Sequence, residues 1–184
     1  MFDSLVLASL GYAVTTTDIS PSFETVLCPN IESNTRNRPS EWGPIRCRKL
    51  DWFAHTGSEE QGITAARSWM THEDPDPEDP TLDYDYIITT DTLYSTPLTI
   101  PLLQTLRSFS LACVTPPPIL VALETRDPML IASALESAKA MGFSLKKIAA
   151  GRVEKALGKS GWGWEDKSEW EGIEIWKWKY AGLA

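Results

Sequence analysis

Four acidic residues stand where short β-branched or apolar runs give way to polar sequence: Asp18 after Val14-Thr-Thr-Thr17, Asp51 after Leu50, Asp91 after Ile87-Ile-Thr-Thr90, and Glu124 after Ile119-Leu-Val-Ala-Leu123. In open α/β sheets, ligands sit beyond the carboxyl ends of the strands, so acids at those ends are where chemistry belongs. A carboxylate there can accept hydrogen bonds from both hydroxyls of a ribose, and Asp18 occupies the place of such an acid. Trp52, next to Asp51, offers a flat aromatic face; Tyr94 puts a phenol three positions beyond Asp91; and Arg126 follows Glu124 by two. Plainer uses remain open. Asp18 and Asp91 can cap the helices that follow them, Tyr94 can fill a core, and Glu124 with Arg126 can form a structural ion pair.

The elements that must hold these residues are legible from periodicity. Apolar residues at 2, 5, 6, 7 and 10 predict an opening helix that stops at Gly11. Tyr12 to Thr17 reads as a strand, and Ser20-Pro21 as a cap followed by proline before a helix over Phe23 to about Asn34. Ile45 to Leu50 is a second strand. Residues 54–83, with HEDPDPEDP and both histidines, read as an inserted acidic, proline-rich loop in which His55 and His72 are solvated. Tyr84 to Thr90 is a strand, Pro97 to Phe109 a helix, and Ile119 to Leu123 a strand covered on both faces. Asp127-Pro128 caps a helix whose buried stripe is Leu130, Ile131, Ala134, Leu135, Ala138 and Met141, ending at Gly142. Residues 143–154 and the alternating stretch 172–180 form an antiparallel pair joined through 158–171, with Trp162, Trp164, Trp170, Trp176 and Trp178 packing that hairpin. The order of elements predicts an α/β sheet, parallel at first and antiparallel at one edge.

Bulk properties narrow the function classes. The 184 residues suit one domain, and 42% hydrophobic content with eight tryptophans marks a folded chain. A formal charge of -8 argues against nucleic-acid binding and favours a basic partner such as a lysine-rich protein surface. Cys28, Cys47 and Cys113 lie far apart with no CxxC pair, which supports neither a disulfide framework nor a metal site and points to a reducing compartment. No stretch reaches the ~20 apolar residues of a membrane span. A cytoplasmic or nuclear monomer without membrane contact is the expectation.

Taken together, Asp18, then Val26-Leu-x-x-Asn30-Ile-x-x-Asn34, Leu50-Asp51-Trp52, Tyr84-Asp-Tyr-Ile-Ile-Thr-Thr-Asp91-Thr-Leu-Tyr94 and Ala122-Leu-Glu124-Thr-Arg126 resemble the family 16 methyltransferases. These are a branch of the seven-strand, Rossmann-like enzymes that use S-adenosylmethionine, mostly to methylate lysines of proteins, several of them translation factors. The likeness runs from about Gly11 to Lys179 and implies a single methyltransferase-like domain over 1–184. It implies Asp18 on the ribose of the cofactor, Asp51 and Trp52 at the adenine, Thr90 along the methionine portion, and Asp91 with Tyr94 at the lysine entrance as the catalytic pair. A protein substrate follows from the same resemblance.

The family also carries a central strand ending in a glycine-rich turn just before the helix that leads to Gly11. No GxG precedes Asp18 here. The expectation is therefore a domain incomplete at its N-terminus, with that first strand and turn absent, and with weak or no affinity for S-adenosylmethionine. The alternative function is a non-catalytic module that docks a protein through its tryptophan-rich hairpin or acidic loop.

Overall fold

The structure, a computed structural model, describes residues 2–71, 83–160 and 171–182. The chain divides into two compact units, Met1–Asp51 and Trp52–Ala184.

In the first unit, helix α1 (Phe2–Ser9) runs into Gly11, whose φ of 90° ends it where the sequence predicts. Strand β1 (Val14–Asp18) pairs in parallel with β2 (Ile45–Lys49), and Asp18 stands opposite Lys49. Between them come a π-helical turn, Phe23–Leu27, and helix α2 (Cys28–Thr35), close to the single helix expected from Phe23 to Asn34. Ala8, Leu27 and Ile31 are buried here. Gly43 passes so close to α1's exit that a Cβ would lie 2.0 Å from the Tyr12 carbonyl oxygen, so only glycine fits without moving backbone.

The second unit opens with a 3-10 turn, Trp52–His55, and helix α3 (Glu59–Thr71). Strand β3 (Ile87–Thr90), helix α4 (Thr96–Ala112), strand β4 (Ile119–Glu124), helix α5 (Pro128–Ala140), strand β5 (Phe143–Lys147), helix α6 (Ala150–Ser160) and strand β6 (Ile173–Tyr180) follow. The sheet order is β3-β4-β6-β5. β3 and β4 are parallel, while β6 runs antiparallel to both β4 and β5, which realises the expected parallel sheet with an antiparallel edge. Ile119, Val121 and Leu123 bury one face of β4 against Leu102, Leu103 and Leu106 of α4, Ile131, Ala134 and Ala138 of α5, Phe143 and Trp178. Trp178, 1% exposed, sits between Ile119 and Leu145 and is the largest side chain in this core. Asp127 caps α5 through both the Met129 and Leu130 amides, at 3.0 and 3.1 Å, as the Asp-Pro pair predicts.

Several expectations are corrected. The fold is mixed α/β, but where the sequence predicts one sheet lacking its first strand, the described residues hold six strands in two sheets, of two and four strands. β1 and β3 each have one hydrogen-bonded neighbour among the described strands. The stretch read as loop over 54–83 is helical at Glu59–Thr71, because its prolines begin only at Pro75. Ser58 and Gln61 bond each other reciprocally at 3.0 and 3.3 Å, a capping box that starts α3 and outweighs the polar composition. The acidic HEDPDPEDP run lies outside the described residues. Residues 150–154 are the first turns of α6 and not strand, so the antiparallel partner of β6 is the shorter Phe143–Lys147. Tyr84 to Tyr86 precede β3 and do not extend it. His55 is 4% exposed, not solvated, with its ring 5.4 Å from that of Phe109; His72 lies outside the described residues. Of the tryptophans assigned to the hairpin, Trp176 and Trp178 are in β6, and Trp162, Trp164 and Trp170 fall outside the description.

Candidate functional site

The carboxyl ends of β3 and β4 bring Asp91, Glu124 and Arg126 into one charged cluster. The Asp91 amide donates to the Ala122 carbonyl at 2.9 Å, continuing the β3-β4 ladder one residue past the strand. Its backbone then turns to φ 50°, the left-handed region, and Asp91 is the single non-glycine residue so placed among those described. Such corners cost an L-residue with a side chain free energy, and aspartate is among the few that tolerate them. Strained positions of this kind concentrate at functional sites.

Arg126 ties the corner together. Its Nη2 lies 3.3 Å from Asp91 Oδ2 and 2.5 Å from Glu124 Oε2, and its Nε donates to that same Glu124 oxygen at 2.7 Å. The Arg126 hydrogen bond holds the Glu124 carboxyl below its ordinary range, although slight desolvation acts the other way. Glu124, and then the Asp91 charge, push the guanidinium still further above its usual value. Between Glu124 and Arg126, the Thr125 amide donates to the Gly172 carbonyl at 3.0 Å, while its buried hydroxyl has no partner among the described residues.

Thr90 and Asp91 are exposed, and Tyr94, 61% exposed, is no core aromatic. Nor does Asp91 cap the next helix, because α4 begins at Thr96 with Ser95 before it. The Thr89 and Thr92 hydroxyls bond at 2.6 Å across the corner, and Leu93 buries into the core, which holds the turn down on both sides of Asp91. Trp52 is half-buried against the same core, and its carbonyl accepts the Thr105 hydroxyl at 3.3 Å. In the first unit, Asp18 ends β1 and Asp51 follows the adjacent parallel β2, with the Leu50 amide bonded to the Asp18 carbonyl at 3.0 Å. Asp18 Oδ1 accepts the Ile19 amide at 2.8 Å, which fixes the carboxylate's direction.

The sequence assigns Asp18, Asp51, Trp52, Thr90, Asp91 and Tyr94 to one crevice; the structure gives Thr90, Asp91 and Tyr94 at one corner of the second unit, and Asp18 with Asp51 at neighbouring strand ends of the first. It did not choose between the two readings of Glu124 and Arg126, and the structure makes them an ion pair that also holds Asp91. It missed Thr125, for which a lone threonine between two charges is no signal.

The fold and this corner define a mixed α/β protein with a charged, partly strained strand-end site. No protein-family description matches the chain, and no curated protein does. Among solved structures, the chain is similar to the PH0226 protein from Pyrococcus horikoshii OT3, at 14% identity and a TM-score of 0.43, over 97% of this chain and 76% of that one.

Proposed function

We propose that the protein is an S-adenosylmethionine-dependent methyltransferase that acts on a lysine side chain of a protein substrate, translation factors being one class of target. The observation that carries this reading is the Asp91 corner: an exposed carboxylate in left-handed backbone at a strand's carboxyl end, beside an exposed tyrosine. Asp91 already holds a guanidinium cation, so its surroundings suit a cationic side chain. A substrate ammonium taking Arg126's place there would be oriented by Asp91, with Tyr94 as the wall or second hydrogen-bond partner.

The adenosine half of the cofactor suits residues that are present. Asp18 keeps Oδ1 on the Ile19 amide, and among the described residues Oδ2 takes no hydrogen bond, which leaves it for ribose hydroxyls. In the second unit, Trp52 has part of its indole outside the core, fit to stack on a purine, and in the first, exposed Asp51 is of the type that accepts from an exocyclic amine. The methionine half finds no such fit, because the turns directly after β1, β2, β3 and β4 hold no glycine that would let backbone approach its carboxylate. When bound, the cofactor supplies a methyl group on a sulfonium. Transfer to an amine requires in-line approach and a nitrogen without its proton, which for free lysine means leaving a pKa near ~10.4. Asp91 and Tyr94 orient the amine; neither is assigned as the base.

A second reading, a non-catalytic docking module, is favoured by the Arg126 contact that already satisfies Asp91. Labelled cofactor at about millimolar concentration, chosen to overcome weak affinity, with a cell lysate as substrate source separates the two. A labelled protein band that vanishes with Asp91→Ala supports the enzyme. No label at any concentration removes the enzyme reading and leaves the module. Titration calorimetry should find cofactor affinity weaker than about micromolar, and a tighter value would show that the methionine half is cradled after all.

A further inference from the structure

The sequence separates Cys28 from Cys47, but the fold of the first unit does not. Cys28 opens α2 directly after the π-helical turn, and Cys47 is the middle residue of β2. Two neighbouring contacts set the register. Glu24 of the turn is ion-paired with Lys49 of β2, whose ammonium also lies 5.5 Å from the Phe23 ring centroid. Cys28 stands one helical turn beyond Glu24, and Cys47 stands two residues before Lys49, on the same face of the strand. The next rung of this helix-on-strand packing is therefore cysteine against cysteine, close enough for Cys28 to perturb the Cys47 thiol. Both are half-buried, within reach of a small reagent but not lying open on the surface.

We propose that Cys28 and Cys47 form a site of reversible oxidative modification, a vicinal dithiol that a peroxide converts to a disulfide joining α2 to β2. The step balances as two thiols and one hydrogen peroxide giving one disulfide and two waters. One sulfur attacks the peroxide oxygen and becomes a sulfenic acid as the first water leaves. The second sulfur then displaces the hydroxyl, which departs with the remaining thiol proton as the second water. Adjacency is what makes the second displacement intramolecular and stops oxidation at the disulfide. Burial, with the neighbouring Cys28, pushes the Cys47 thiol up to about 11, so Cys47 holds its proton near neutrality and the exchange awaits peroxide. No third ligand joins the pair: among the described residues no group of three His, Cys, Asp or Glu side chains could hold a metal ion. Cys113 is buried in the second unit, its thiol also raised by burial, and it supplies an internal control.

The test treats the native full chain with stoichiometric hydrogen peroxide, unfolds it, alkylates what remains free and maps the peptides by mass spectrometry. The Cys28 and Cys47 peptides should appear cross-linked, Cys113 alkylated, and dithiothreitol should return all three thiols. Cys28→Ala should abolish the cross-link, while Cys113→Ala should leave it intact. Circular dichroism of each variant separates a lost partner from a lost fold, and a Cys28→Ser variant gives a second chance if Cys28→Ala fails to fold. Three results would overturn the proposal: both thiols still alkylated after peroxide, cross-links that include Cys113, or the same cross-link yield in denaturant as in the native protein.

Discussion

At the scale of single residues, Asp91 separates two effects that are often confounded. Its left-handed backbone is a cost carried by any residue with a Cβ, and is worse for a β-branched one, whereas its contact with Arg126 is a half-exposed ion pair of small worth. Asp91→Asn keeps the tolerance for this corner and should change stability in urea by less than about 0.5 kcal/mol. Asp91→Val cannot sit there without strain and should lose roughly 1–3 kcal/mol. Equal stability of the two variants would show that the corner relaxes freely and is not held by Leu93 and the Thr89–Thr92 bond. Glu124 adds a pH signature. Its folded-state value lies below the ordinary 4.5, so its pairing contributes stability that is present above that value and is lost as acid carries the pH below it. Glu124→Gln should therefore differ from the parent chain near neutrality and converge with it on the acid side of about 4.5; a gap that widens in acid would reverse the sign assigned to the Arg126 bond. The sequence showed where these acids stand because a strand's end is visible in periodicity. It could not show a φ angle, nor that Arg126 bridges two carboxylates, since both depend on how β3 lies beside β4.

At the scale of elements, helices α3 and α4 pack so closely that Gly62 is a structural requirement. A Cβ there would lie 2.4 Å from Ser108 Oγ and 3.3 Å from the His55 carbonyl. Gly62→Ala should cost about 1–3 kcal/mol through overpacking. Adding Ser108→Ala removes the offending oxygen and leaves the Ser108 Cβ at 3.5 Å, an ordinary contact, so the double variant should recover most of the loss. Thermal denaturation of the three variants checks this, and a double variant no better than Gly62→Ala would place the strain on the His55 carbonyl. α3 is also the element that composition concealed. Its polar residues and the prolines beyond it read as loop, while Ser58 and Gln61, three apart and followed by Ile63 and Ala66, carried the start signal. α5 was fully legible because its cap, its proline and its apolar stripe agree, and β6 because strict alternation ends with Trp178 in the core. The strand expected to run on from β5 failed at residue 150, where Val153 and Leu157 recur at helical spacing and not at a period of two.

At the scale of the whole molecule, the sheet order was beyond what periodicity can give, because pairing depends on residues far apart in the chain. β6 closes against β4 and β5, although residues 125–172 separate it from β4 and 148–172 from β5. Net charge, by contrast, needs no fold to be read. A chain of charge -8 repels a phosphate backbone at long range and attracts a basic surface, and both effects are strongest when salt is low. Duplex DNA at low ionic strength is therefore the most permissive condition for non-specific binding, and still no gel shift is expected. A lysine-rich peptide under the same conditions should bind, and its association should slow and weaken as salt rises past a Debye length of about 10 Å at 0.1 M. A DNA shift, or peptide binding indifferent to salt, would mean that partner choice rests on a local surface and not on the field of the whole chain.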